Sequence, residues 1–121
     1  MGRTDDIRIT HVVALIVARF AEPMVVAELA RAVNLSPSYL TRKFYEQTGE
    51  TPASFLREVR LRRARALVLT SFMSIKEVMA AVGWNDKSHF SRAFKRRFGL
   101  SPQAMRRALR RTGAAVRYVI A

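Results

Sequence analysis

Cysteine is absent from this sequence of 121 residues. Its absence excludes disulfide bonds, thiol catalysis and cysteine-containing zinc sites, and it fits the reducing environment of the cytoplasm. The two histidines, His11 and His89, have no carboxylate at ligand spacing, so we expect neither a metal site nor a general base. No glycine-rich phosphate loop and no carboxylate pair stands out, which argues against an enzyme and against a bound cofactor.

Acidic residues and long apolar runs are also scarce. The clearest apolar stretch, residues 12–18, is far short of the ~20 residues that a membrane span needs, and the polar start of the chain does not resemble a secretory signal. Lys and Arg together number 22 against 9 Asp and Glu, for a formal net charge of +13. This excess attracts polyanions, which makes nucleic acid the first candidate partner and an anionic membrane surface the second.

The pattern of apolar residues predicts an all-α fold of about seven helices. Half of the residues are hydrophobic, enough for a buried core, and they recur at helical rather than alternating spacing. Five helix starts carry residues that suit an N-cap, namely Ser36, Thr51, Ser74 with Glu77, Asp86 and Ser101. The predicted helices cover residues 6–21, 26–33, 37–48, 52–70, 75–82, 87–98 and 102–112, and residues 113–121 are expected to fray.

The chain also repeats itself. Residues 38–44 match residues 88–94, and residues 49–52 match residues 99–102, at a constant offset of 50. Before the turn the offset is 49, so the second turn should contain one extra residue. Each copy consists of a short helix, a tight turn and a second helix, which is the helix-turn-helix arrangement. Two helical hairpins without any role on DNA would give the same pattern.

The second helix of each copy, here called the recognition helix, has a polar face. On the first one, Tyr39, Leu40 and Phe44 are expected to face inward. The opposite face then carries small hydroxyls and an arginine, and the second recognition helix is similar, so the candidate DNA contacts are Ser38, Thr41 and Arg42 with Lys87, Ser88, Ser91, Arg92 and Lys95. Small side chains allow close approach to a groove floor, and arginine can bond a guanine edge through two donors.

The long helix between the two copies suggests how they are spaced. About 20 residues at 1.5 Å each make a rod about 30 Å long, close to the roughly 34 Å between successive major grooves on one face of DNA. We therefore expect a first subdomain over residues 6–50, a linker helix over 51–71 and a second subdomain over 72–112. The arginines of the linker helix either face the phosphates or belong to a salt-bridged surface helix, although Glu58 is the only acidic residue within it. Phe72 and Met73 are expected to pack across the junction between the two halves, and Trp84 is expected to fill the core between the fifth and sixth helices.

The sequence resembles the AraC/XylS-type transcription regulators. The resemblance rests on residues 88–102, on Arg60 to Ala64, and on Ile75 with Gly83 and Trp84, and it covers about residues 8–111. It implies two helix-turn-helix subdomains on adjacent major-groove segments of promoter DNA, and many members of the family also contact RNA polymerase. By position, it implies base contacts at Ser38, Thr41, Arg42, Lys87, Ser88, His89 and Arg92.

The chain departs from that family in two respects. Met79 stands where the family usually has a small alanine, so the packing around this helix must make room. Most members also carry a sensor or dimerisation domain, which is absent here, so we expect either a short member that stands alone or a fragment of a longer regulator.

Three other functions are weaker expectations. Binding of nucleic acid through charge alone would show a steep salt dependence and little sequence preference. A cationic protein on a membrane surface would need an amphipathic helix with an unpacked apolar face. An enzyme is the weakest of the three, because no catalytic set of residues is recognisable.

Overall fold

The computed structural model describes residues 5–112 and contains seven α-helices and no strand within them. The helices are α1 (Ile7–Arg19), α2 (Val26–Ala32), α3 (Pro37–Thr48), α4 (Pro52–Thr70), α5 (Ile75–Val82), α6 (Lys87–Phe98) and α7 (Pro102–Thr112). Every predicted boundary lies within two residues of the observed one, and the all-α prediction is confirmed. The predicted fraying of residues 113–121 falls outside the described residues. None of the helices in the described range is long and apolar enough to cross a bilayer.

The predicted helix caps are present, because each cap side chain accepts a bond from an otherwise unpaired N–H of the first turn. The backbone N–H groups of Tyr39 and His89 donate to Ser36 Oγ (3.2 Å) and Asp86 Oδ1 (3.0 Å) at the starts of α3 and α6. Equivalent bonds reach Thr51 Oγ1 from Ser54, Ser74 Oγ from Glu77 and Ser101 Oγ from Ala104. The Glu77 carboxylate also accepts from the Ser74 N–H, which completes the capping box.

The two turns of the repeat differ by one residue, as the sequence offset predicts. The first turn passes through Asn34 with a φ of 58°, and the second passes through Gly83 with a φ of 81°. From these left-handed residues the chain takes two more residues to reach the cap Ser36, but three to reach the cap Asp86. The extra residue is Asn85, and it delays the start of α6 by one position.

The helices divide into two compact units, with the division between Val59 and Arg60 inside α4. In the first unit, helices α1, α2 and α3 bury an aliphatic core together with one phenylalanine, made of Ile9, Val12, Ile16, Ala30, Val33, Leu40 and Phe44. Phe55 of α4 packs edge-on against Phe44, with 5.7 Å between the ring centroids. The first half of α4 therefore belongs to this core.

The second unit has a more aromatic core. The rings of Trp84, Phe90, Phe94 and Phe98 follow one another at centroid distances of 5.5, 5.8 and 4.9 Å. Buried aliphatic side chains of α4, α5 and α7 complete it, namely Leu61, Ala64, Val68, Leu69, Ile75, Val78, Met79, Val82 and Met105. Met79 is only 6% exposed, so the packing accommodates the larger side chain at the position where the family usually has alanine.

Arg106 of α7 ties the end of α4 to the loop that follows it. Its guanidinium donates to the backbone carbonyls of Val68 (3.1 Å), Ser71 (3.4 Å) and Met73. Helix ends leave such carbonyls without partners in their own helix, so a side chain from another helix here supplies them. Phe72, between two of these carbonyls, is fully exposed, and the prediction that it would pack across the junction between the two halves was wrong.

Candidate nucleic-acid interface

The orientation of α3 is fixed by its apolar residues. Leu40 and Phe44 are completely buried, which turns the opposite side of the helix outward. Ser38 and Arg42 are exposed on that side, and Thr41 is half-buried. All three predicted contact residues of the first unit therefore keep surface that a ligand can reach.

Tyr39 does not enter the core, although the sequence pattern placed it there. Its ring is half-buried at the surface, with the Arg42 guanidinium carbon 5.3 Å and the Arg8 guanidinium carbon 5.8 Å from its centroid. Both distances are within the range of a cation–π interaction. The polar hydroxyl and the two guanidinium groups favour the surface position over burial, and the ring supports Arg42 from one side.

Arg8 is itself held by the cap residue of α1. Its Nε and Nη2 atoms lie 3.1 and 2.9 Å from the two carboxylate oxygens of Asp6. The hydrogen bonds from Arg8 lower the pKa of Asp6 below its ordinary value. A chain of contacts thus runs from the start of α1 through Arg8 and Tyr39 to Arg42.

The recognition helix α6 of the second unit is oriented in the same manner. Phe90 and Phe94 are completely buried. On the remaining surface the structure places all the predicted residues, with Lys87, Ser88, His89, Arg92 and Lys95 exposed and Ser91 half-buried. None of the predicted contact residues of either unit is sealed in the core.

His89 is held by Trp84. The indole Nε1–H donates to His89 Nδ1 at 3.2 Å, and the two rings lie 5.4 Å apart. Because Nδ1 accepts, the neutral imidazole carries its proton on Nε2 and presents a donor there. Trp84 is half-buried at the edge of the core rather than inside it, and its ring makes an edge-type contact with Phe90 at 5.5 Å between centroids.

The repeat therefore places an aromatic ring at the same point of each recognition helix. Tyr39 and His89 are 50 positions apart, and each ring is held by a residue from outside its helix, Arg8 in one unit and Trp84 in the other. Sequence reasoning identified His89 only through the family resemblance and did not find Arg8 or the supporting role of Trp84. The constant offset of 50 could have identified Tyr39 as the residue of the first copy that corresponds to His89.

Two arginines of α4 are not simply solvated. The Arg65 guanidinium carbon lies 4.6 Å from the centroid of the Phe98 ring. Arg60 is partly buried, and this burial lowers its pKa. Arg57, Arg62 and Arg63 are exposed. The expectation that arginines of α4 face the DNA phosphates therefore concerns these three residues. Within the described residues no cluster of three or more His, Cys, Asp or Glu side chains could hold a metal ion.

Comparison with known sequences first gives the class of protein. A profile of the helix-turn-helix domain matches residues 29–108, which span both turns and both recognition helices. Structural comparison agrees. The C-terminal domain of AraT, a response regulator from Geobacillus stearothermophilus, aligns with a TM-score of 0.82 and 27% identity over 88% of each chain. The DNA-binding domain of AdpA, solved in complex with a target DNA, aligns with a TM-score of 0.81 and 31% identity over 88% of this chain and 95% of that one.

Curated relatives narrow the class to a family. The transcriptional activator RhaS of Klebsiella pneumoniae (strain 342) is 35% identical over 102 residues, which are 84% of this chain and 37% of RhaS. The transcriptional regulator GlxA of Rhizobium meliloti (strain 1021) is 43% identical over 79 residues, which are 65% of this chain and 24% of GlxA. The chain belongs to the AraC/XylS-type family of helix-turn-helix transcription regulators. It spans less than two fifths of the length of either of these two relatives, 37% of RhaS and 24% of GlxA.

Proposed function

We propose that this chain binds double-stranded DNA at defined sequences and serves as the DNA-binding part of a bacterial transcription regulator in the cytoplasm. The observation that carries the proposal is the repeated polar face. Ser38 and Arg42 on α3, like Ser88 and Arg92 on α6, occupy exposed positions opposite completely buried residues. The net charge of +13 adds the long-range attraction that association with a polyanion requires.

The proposed base contacts follow from the chemistry of these side chains. Arg42 and Arg92 can each bond the O6 and N7 acceptors of a guanine. The hydroxyls of Ser38, Thr41, Ser88 and Ser91 allow a close approach and can donate or accept. His89 offers its Nε2–H to an acceptor on a base or phosphate. Lys87 and Lys95 supply positive charge to the DNA backbone or to base edges.

The proposed binding site contains two half-sites about one turn of DNA apart. Helix α4 has 19 residues, which at 1.5 Å each make about 29 Å of helix. That length suits two recognition helices in successive major grooves of one duplex, as dimeric helix-turn-helix proteins achieve with two chains. We propose that the linker arrangement, with α4 spanning residues 52–70, serves this purpose.

Activation of transcription through RNA polymerase is the finer part of the proposal. Several relatives are named transcriptional activators, and their additional length leaves room for a sensor or dimerisation domain. Transcription from a promoter carrying the selected site, with and without the chain, would separate activation from repression. A rise in transcript with polymerase as the only other protein would support a direct contact.

The experiment that tests the proposal is the selection of bound duplexes from a random pool at about 0.15 M salt. We expect a site with two conserved half-sites separated by about one helical turn, roughly 10 base pairs centre to centre. The enriched duplex should bind at least ~10³-fold more tightly than an unrelated duplex. A pool that yields no enriched sequence, despite salt-dependent binding, would instead establish non-specific binding through charge.

A further inference from the structure

A basic groove lies beside the helix-turn-helix of the second unit, and none of the predicted contact residues lines it. It has a volume of about 490 Å³ and is lined by Ile75 at the start of α5 and by Gln103, Arg106, Arg107 and Arg110 of α7. Gln103, Arg107 and Arg110 are spaced by four and three residues, so they share one face of α7. All three are exposed, and none of the described residues that line this groove is acidic.

Arg106 forms a fixed wall of this groove. Its donors are engaged by the carbonyls of Val68, Ser71 and Met73, so its guanidinium keeps its position without an external partner. Arg107 and Arg110 are the exposed charges of the groove and are the side chains that a ligand would meet. The sequence of α7 contains no acidic residue, which leaves the positive charge of its exposed face uncompensated within the helix.

The groove beside α2 in the first unit has the opposite character. It is smaller, about 110 Å³, and Glu22 and Glu28 line it together with Arg19 and several apolar side chains. A phosphate would meet two carboxylates there. The two helix-turn-helix units are therefore alike in their recognition helices but unlike in the charge beside their first helices.

We propose that the groove of Gln103, Arg107 and Arg110 binds backbone phosphates of the same duplex whose major groove α6 enters. In a helix-turn-helix the first helix crosses the DNA backbone, and Ile75 places this groove at the beginning of that helix. Arginine binds phosphate oxygens through paired donors, and a glutamine amide adds another donor. The inference rests on the proposed DNA binding and adds a second contact surface, which anchors one half-site more strongly.

The test compares Arg107→Gln/Arg110→Gln with wild type by fluorescence anisotropy on the selected duplex and on an unrelated one. Each lost phosphate contact should reduce the slope of log K against log salt by about 0.9. For two contacts, the affinity ratio of wild type to variant should shrink about tenfold between roughly 50 and 200 mM salt. The specificity ratio should stay unchanged, because phosphates carry no sequence information. Arg19→Gln, in the carboxylate-lined groove, is the matched loss of one arginine and is compared with Arg110→Gln alone.

A second arm locates the phosphate. Methylphosphonate substitution of phosphates flanking the α6 half-site should weaken wild type but not the double variant. Circular dichroism confirms that each variant is folded. The inference would be overturned if the double variant kept the wild-type salt slope, or if Arg19→Gln changed the slope as much as Arg110→Gln alone. An altered base preference in the double variant would overturn it as well. Failure of wild type to prefer any duplex would refute the proposed function itself, and it is seen before any variant is made.

Discussion

Arg42 is supported by an aromatic ring, which restricts its side chain before any DNA is bound. The guanidinium lies over Tyr39, which Arg8 contacts as well. An arginine restricted in this way loses less conformational entropy when it binds a base edge. We therefore regard Tyr39 and Arg8 as positioning residues in the first unit, comparable to Trp84 in the second.

Replacing either recognition-helix arginine should weaken binding to the selected duplex. Arg42→Ala and Arg92→Ala are each expected to cost about 1–3 kcal/mol and to relax the base preference at one position. Titration against duplexes that carry each base at that position measures both effects. Arg42→Lys and Arg92→Lys are the matched controls, since they keep the charge but lose the paired donors. Equal weakening on all sequences would assign these arginines to phosphates instead.

The hydrogen bond between Trp84 and His89 can be tested by a double-mutant cycle. Trp84→Phe removes the indole donor while retaining a ring to pack against Phe90, and we expect it to reduce DNA affinity up to about tenfold. In a His89→Ala background the same substitution should have little further effect, because its partner is already gone. Fully additive losses would show that Trp84 does not act through His89.

Among the helices, α6 ends at a residue that only glycine occupies without strain. Gly99 has a φ of 87°, and a Cβ placed there would meet no atom within 4 Å. Gly99→Ala should therefore destabilise the chain by about 1–2 kcal/mol through the backbone alone. Asn34→Gly is the control in the opposite direction, from another residue to glycine. Asn34 has a positive φ of 58°, which glycine adopts readily, so this substitution should be tolerated. Urea unfolding measures both, and equal stability of Gly99→Ala and wild type would contradict the backbone argument.

Helix α5 should lose stability in acid through its capping box. The hydrogen bonds from Ser74 lower the pKa of Glu77 below its ordinary value of 4.5. A lowered pKa in the folded state means that the stabilisation is complete above the unfolded pKa and is lost as the pH falls through the folded one. Unfolding curves at neutral pH and below pH 4.5 should thus differ less for Glu77→Gln than for wild type. An identical acid dependence of the two proteins would refute this assignment.

The limits of sequence reasoning are visible in the same helices. Caps, left-handed residues and apolar spacing are local signals, so all seven helices of the described range were located within two residues. The contacts of Arg106, Arg8 and Trp84 join residues that are not neighbours in any helical pattern, and nothing local indicates them. Phe72 was misplaced because the loop turns the carbonyls of Ser71 and Met73, not the ring, toward α7. The predicted subdomain boundaries and DNA contacts remain predictions.

For the whole molecule, the proposal of two grooves predicts a strict dependence on half-site spacing. Inserting about five base pairs between the half-sites would move one of them to the opposite face of the duplex, half a turn away. Affinity should then fall to that of a duplex with a single half-site. Anisotropy titrations of the inserted duplex, and of a duplex with substitutions of the same central base pairs, measure the effect. Full affinity after insertion would mean that only one recognition helix reads DNA at a time.

The hydrogen bonds from Arg106 to the carbonyls of Val68, Ser71 and Met73 predict how the second unit behaves at high salt. The three acceptors of Arg106 are neutral carbonyls rather than carboxylates, so counterions compete with it far less than with contacts between arginine and phosphate. Concentrated salt that elutes the protein from a polyanion column should therefore leave α7 hydrogen-bonded to the end of α4. A loss of DNA affinity at high ionic strength can then be attributed to weaker contacts with DNA and not to unfolding of the second unit.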